Sequence, residues 1–136
     1  MVKVLAGGKG SGKTKRLIQI ANDAARDPHG TIYFIDDDNR NIFELDRNVR
    51  FINMEPFNIH RIETLYGFLC GLLSCDYDIE HIFIDGVNYL SDLPEEDLQN
   101  FLIVLDRLSR NNEAKLLLCW SYDEDKTPEF LKERLI

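Results

Sequence analysis

The sequence predicts a three-layer α/β/α fold on a mostly parallel sheet of about five strands, and three observations predict it. Strand-like and helix-like patterns alternate along the chain, a glycine-rich stretch separates the first strand from the first helix, and the strand runs Ile82-Phe83-Ile84 and Leu116-Leu117-Leu118 are wholly apolar. Strands that bury both faces belong to parallel sheets covered by helices on either side.

Taken in order, residues 2–6 form an apolar run, interrupted by Lys3 and met at once by glycines, that reads as a strand running into a loop. Leu17, Ile18, Ala21, Ala24 and Ala25 then recur at helical spacing, and Asp27-Pro28-His29-Gly30 supplies the stop. Residues 31–35 are β-branched and aromatic and end in Asp36-Asp37-Asp38-Asn39, whose turn-forming side chains close a second strand. Residues 49–54 make a weaker strand, and Ile59, Ile62, Leu65, Tyr66, Leu69, Leu72 and Leu73 make the stripe of a second helix. The next strand covers residues 81–85 and is apolar until it meets its acid. Ser91-Asp92-Leu93-Pro94-Glu95 joins a capping side chain, a proline and early acids, which predicts a third helix through Leu98, Phe101, Leu102, Leu105 and Leu108. Residues 115–120 are the last strand, and Thr127-Pro128-Glu129 opens a short terminal helix with Thr127 as its cap. No repeat, low-complexity tract or linker breaks the series, so residues 1–136 are expected to form one domain.

Composition narrows the function. At 136 residues and 44% hydrophobic content the chain has the size of one globular domain with one substantial core. Its 16 Lys and Arg face 24 Asp and Glu, and the formal charge of -8 repels a phosphate backbone, which makes general nucleic-acid binding unfavourable. Cys70, Cys75 and Cys119 sit in apolar runs without metal-ligand spacing and read as reduced thiols of the core. No window approaches the roughly 20 apolar residues of a membrane span, and the first residues lead into a strand rather than a leader peptide. A cytoplasmic protein is expected.

Gly7-Gly8-Lys9-Gly10-Ser11-Gly12-Lys13-Thr14 fits G-x-x-x-x-G-K-[ST] and lies between a predicted strand and a predicted helix, the context that pattern needs. Its glycines let the backbone fold into a nest of N–H groups, and the following helix adds the positive end of its dipole, so a phosphate chain is the natural guest. Gly7, Gly8, Lys9, Gly10, Ser11, Gly12, Lys13 and Thr14 are therefore the candidate binding residues for a nucleoside triphosphate. Lys13 faces the β- and γ-phosphate oxygens in this reading, and Thr14 is a ligand of a bridging Mg²⁺. Asp85 ends an apolar strand, where a second acid is needed to orient that metal or its water.

These motifs resemble those of the RecA-like (ASCE-type) branch of P-loop ATPases, in order, over residues 2–122. Phe34-Ile35-Asp36-Asp37-Asp38-Asn39 is similar to the RecA strand ending Phe-Ile-Asp-Ala-Glu-His, and Ile82 to Leu90 to its hydrophobic-Asp-Ser-Val-x-x-Leu stretch. The resemblance implies ATP with Mg²⁺, catalytic roles for Lys13 and Asp85, an acid at Asp38 that polarises the attacking water, and a γ-phosphate sensor after the last strand, where Ser121 is the nearest match. It also implies that the strand of residues 115–120 lies between the phosphate-loop strand and the Asp85 strand. Residues 2–6 then form a sheet edge, to be covered by the terminal helix or a second subunit. In size and loop sequence the chain is also similar to short bacterial ATP-binding proteins loosely labelled PilT-type twitching-motility ATPases.

Two departures point to weak hydrolysis. Asp38 is a methylene shorter than the family's glutamate, and Gly86 follows Asp85 where many ATPases of the wider class carry a glutamate. The family's later strands and DNA-binding loops have no match, so DNA recombination is not expected. The leading expectation is an Mg²⁺-dependent ATP-binding protein with weak ATPase activity. One alternative is a non-enzymatic nucleotide switch or scaffold for a protein partner or a second copy; another is a nucleoside or small-molecule kinase with a lid between Asn39 and Arg50. No Asn-Lys-x-Asp motif favours GTP. His29, His60 and His81 lack ligand spacing, Trp120 and Tyr122 read as packing or as an adenine contact, and Arg40, Arg47, Arg50 and Arg61 are arginine-finger candidates.

Overall fold

The computed structural model describes residues 1–136, the side chain of Glu124 excepted. Five parallel strands, β1 (Lys3–Gly7), β2 (Thr31–Asp36), β3 (Val49–Asn53), β4 (Ile79–Ile84) and β5 (Lys115–Ser121), form one sheet in the order β1-β5-β4-β2-β3. The Asp85 strand is thus separated from the phosphate-loop strand by β5, the RecA-like order. The helices are α1 (Lys13–Ala24), α2 (Ile62–Cys75), α3 (Glu95–Asn112) and the short α4 (Glu129–Lys132). Among the described residues no helix is long and apolar enough to cross a membrane.

The strand period of two divides the apolar residues between the sheet's faces. Val4, Ile35, Ile82, Ile84, Leu116, Leu118 and Trp120 meet α2 and α3 through Leu65, Leu69, Leu98 and Leu102. On the opposite face Leu5, Ile32, Phe34, Phe83, Leu117 and Cys119 meet α1 through Leu17, Ile18 and Ala21. Each fully buried Leu, Ile or Phe contributes about 1.5–3 kcal/mol, and this double covering is why whole strands read as apolar. The thiols are less uniform than expected: Cys119 is buried, Cys70 half-buried and Cys75 exposed at the end of α2, and all three are free.

Two expected helix caps are not used. The backbone after β4 turns through a 3-10 segment, Asn88–Asp92, in which Ser91 Oγ donates to Asn88 O at 2.7 Å, so Ser91 is spent one turn before α3. Pro94 takes the cap position without a side-chain bond, and Glu95, Glu96 and Asp97 complement the helix dipole in the first turn. At α4 the cap position belongs to Pro128, while Thr127 Oγ1 donates back to Asp123 O at 3.1 Å. Ile59 is buried as the second-helix stripe required, but it lies ahead of α2, which starts after Arg61.

The edge of β1 is covered, though by the residues that follow the terminal helix rather than by the helix itself or a second subunit. Val4 N donates to Arg134 O at 2.9 Å and Ile136 N to Val4 O at 3.2 Å, making a one-residue parallel bridge to Leu135. A buried ion pair holds this strap: Arg134 donates to both carboxylate oxygens of Asp106 on α3, at 2.8 and 2.6 Å, and to Val2 O at 3.2 Å. Asp106 also accepts from Val2 N at 2.7 Å. Burial alone would raise the Asp106 carboxyl, but Arg134 and the Val2 N–H hold it below its ordinary 3.8. A depressed carboxylate stabilises the fold above its unfolded pKa and loses that contribution as pH falls through the folded value. Arg134→Ala strands a partly buried carboxylate and is expected to lower the unfolding free energy by about 3 kcal/mol near neutral pH. Denaturant titrations of both proteins should show that deficit shrinking below pH 3.8, as Asp106 protonates.

Candidate functional site

All five strands point their carboxyl ends at one rim, so the loops after β1, β2, β4 and β5 meet there. The loop after β1 turns on Gly10 and Gly12, whose φ angles of 76° and 82° are open to glycine and strained for other residues. Ser11 N donates to Gly8 O at 3.3 Å, and Lys13 Nζ reaches back to the same carbonyl at 3.2 Å. Gly12 caps α1 with no side chain, and no acid stands in the first turn, so the helix presents its amide end bare to an anion.

Thr14 and Asp85, expected to share a metal, are brought together: Thr14 Oγ1 donates to Asp85 Oδ2 at 2.8 Å. The other oxygen, Oδ1, accepts from Gly86 N at 2.8 Å, which fixes the carboxylate. A hydroxyl and a carboxylate converging beside an anion nest are hard oxygen donors of the kind Mg²⁺ takes alongside phosphate. Gly86 has a φ of 73°, and a Cβ there would stand 2.6 Å from Asp37 Cγ. The absence of a glutamate after Asp85 is therefore a steric requirement of this turn.

The three acids after β2 separate by environment. Asp36 is 4% exposed, and its Oδ1 accepts from Asp37 N at 2.8 Å. Burial pushes its carboxyl up to about 7, with Asp85 adding to the rise and the Asp37 N–H opposing it. Asp38, the acid matched to the family's water-polarising residue, is half-buried and engaged on both oxygens by Arg40, at 2.9 Å from the backbone N and 3.0 Å from Nη2. One carboxylate oxygen from each of Asp36, Asp37 and Asp38 lies within 4.8 Å of the others. The sequence offers Asp36 to Asp38 as one acidic cluster, in which Asp38 is the match, and does not separate Asp36 from it, though a signal is present: Asp36 follows Ile32 and Phe34 on the same face of the strand, an acid continuing a buried stripe.

Lys13, Thr14, Asp36, Asp38, Asp85 and Asn88 line one cavity of about 1110 Å³, just above the usual range of small-molecule sites. Ser121 is not on it. It pairs in register with Gly7, its N donates to Asn88 Oδ1 at 3.1 Å, and the residue lines a second cleft of about 660 Å³ with Gly8, Lys9 and Tyr122. Gly10 and Gly12 line the first cavity, Gly8 and Lys9 the second; Gly7 is buried at the end of β1, and a Cβ on it would stand 2.9 Å from Ser11 Oγ.

Trp120 is wholly buried against the α2 and α3 face, so it packs and meets no ligand. Of the four arginines, Arg40 lines the main cavity, whereas Arg50 lies 5.9 Å over the Tyr33 ring. His29 and His60 are exposed, and His81 stacks on Phe83 at 5.3 Å. The segment between Asn39 and Arg50 is pinned to α1: Asn22 Nδ2 donates to Glu44 O at 2.9 Å, and Asp46 N donates to Asn22 Oδ1 at 2.8 Å. Burial, with Asp85 beside it, pushes the Cys119 thiol up to about 12, which keeps it unreactive.

No protein-family model matches the chain, and no curated protein does. Among solved structures, the fold is similar to the crystal structure of the flagellar accessory protein FlaH from Methanocaldococcus jannaschii, with a TM-score of 0.51 and 14% identity over 97% of this chain. The chain spans 65% of the length of that one. The likeness establishes the α/β fold that the two share.

A carboxyl with a raised folded pKa binds its proton more tightly folded than unfolded, so stability falls as pH rises from 3.8 to about 7. Asp36→Asn is expected to flatten that fall and to raise the melting temperature at pH 8 in metal-free buffer. Thermal melts across this pH range decide it; an unchanged pH slope would remove Asp36 as its source.

Proposed function

We propose that the chain binds a nucleoside triphosphate, ATP in preference, with Mg²⁺ in the main cavity and hydrolyses it slowly. The observation that carries this reading is the 2.8 Å bond from Thr14 to Asp85, made across the sheet at the mouth of a glycine-turned phosphate loop. In it the loop amides and Lys13 hold the phosphate chain, with Nζ exchanging the Gly8 carbonyl for phosphate oxygens. Thr14 and Asp85 hold the metal. Magnesium held by these two side chains would supply charge neutralisation to the phosphates. Water is oriented by an acid after β2. Asp38 serves once Arg40 releases it, and Asp36 is the buried acid beside it with an oxygen still open to the cavity.

Weak turnover follows from the chain's own sterics. No base fits at Gly86, and Asp38 is short and engaged. The same two features favour the second reading, a nucleotide switch or scaffold that binds without turnover and signals to a protein partner or a second copy. A kinase is supported less, because the segment that would serve as its lid is bonded to α1 through Asn22. The motifs place this reading in the RecA-like branch of P-loop ATPases, with one domain working in the cytoplasm.

Nucleotide binding and Mg²⁺-dependent phosphate release, measured on the same samples, test the proposal. Wild type is expected to bind ATP in an Mg²⁺-dependent manner. Lys13→Ala should lose at least about tenfold in affinity, as expected for a hydrogen bond to a charged group. Asp38→Asn should still bind and lose release. Binding without release in the wild type selects the switch, and absence of binding overturns the proposal.

A further inference from the structure

Asp36, Asp37 and Asp38 all line the main cavity, and one oxygen from each lies within 4.8 Å of the others. Ligands on opposite sides of one Ca²⁺ stand about 4.6 to 5.2 Å apart, and adjacent ones closer, so this spread fits a single ion. Asp36 adds an observation that acidity alone does not supply. It is 4% exposed, its Oδ1 accepts from the neighbouring Asp37 N–H, and among the described residues its Oδ2 takes no hydrogen bond. A buried carboxylate oxygen is costly without a donor or cation to meet it, and the charges of Asp37 and Asp85 add to that cost. The acids are held in place from both sides. Met54 N, after β3, donates to Asp36 O at 2.7 Å, and Asp37 packs over Gly86, where a Cβ would stand 2.6 Å from its Cγ.

We infer that Asp36, Asp37 and Asp38 bind one hard divalent cation in the absence of nucleotide, at a site separate from the Thr14 and Asp85 pair. The inference goes beyond the nucleotide reading and does not depend on it. Carboxylate donors suit Mg²⁺, Ca²⁺ and Mn²⁺, with water completing the coordination. Thr14 Oγ1 and Asp85 Oδ2 are bonded to each other at 2.8 Å, so that pair is engaged until a phosphate chain arrives. Among the three acids, Asp38 alone has a cationic partner, Arg40 Nη2 at 3.0 Å from its Oδ2. Arg40 therefore competes with the ion for one of its ligands.

The test titrates Mn²⁺ into the intact, nucleotide-free chain and follows the free ion by electron paramagnetic resonance, with ATP binding measured on the same samples. Wild type is expected to bind one Mn²⁺ that Ca²⁺ or Mg²⁺ displaces. Asp36→Asn and Asp37→Asn should each weaken it at least about tenfold, the scale of one contact to a charged group. Arg40→Ala should tighten it about two- to fivefold, the worth of an exposed ion pair, a gain that a fault in folding does not produce. Thr14→Ala should bind Mn²⁺ as the wild type does. Equal affinity in Asp36→Asn and Asp37→Asn, no gain in Arg40→Ala, or loss in Thr14→Ala overturns the three-acid site. ATP binding by a wild type that takes no Mn²⁺ alone overturns this inference and leaves the proposed function standing; Mn²⁺ binding without ATP binding does the reverse.

Discussion

Because the five strands all run the same way, each hands its last residue to a single rim, and the chemistry of the chain depends on that constraint. Gly7, Asp36, Asp85 and Ser121 are far apart in sequence, and only parallel pairing in the order β1-β5-β4-β2 sets them side by side. A parallel sheet of this kind must be covered on both faces, which explains why the chain commits so many of its apolar residues to two clusters flanking the sheet. The glycine-rich loop can then remain exposed, bonded mainly to itself, because its two ends are anchored in β1 and α1.

The same arrangement leaves β1 at one edge of the sheet, with the glycine-rich loop attached to it. The Arg134–Asp106 pair answers this weakness by tying the C-terminal strap, α3 and the start of β1 into one knot. Position at the rim and security at the edge are thus supplied by different parts of the chain, one by topology and the other by a buried charge pair.

The fold was readable from sequence because its signals are local and redundant. Apolar strands, helical stripes and a glycine-rich loop with its flanking elements each announce themselves within a dozen residues, and the meeting of Thr14 and Asp85 follows from where their strand and helix must lie. What was hidden depends on geometry that spacing does not carry. Ser91 and Thr127 have the chemistry of caps, yet each finds a nearer carbonyl and leaves the cap to a proline. Asp36 and Asp38 look alike on paper; burial in one case and Arg40 in the other separate them. Ser121 occupies the expected position, but it lines the second cleft, and its backbone N–H is bonded to Asn88.

Trp120 gives this arrangement an optical consequence. It is the one tryptophan of the chain, fully buried, with an indole N–H that has no partner among the described residues, and it sits in β5 opposite Ala6 and directly before Ser121. Its emission therefore comes from a dry, apolar setting at the junction between the phosphate-loop strand and the Asn88 tie. Any shift of β5 against β1 changes that setting and the wavelength it emits, so the protein carries an unlabelled fluorophore at the joint between those two strands.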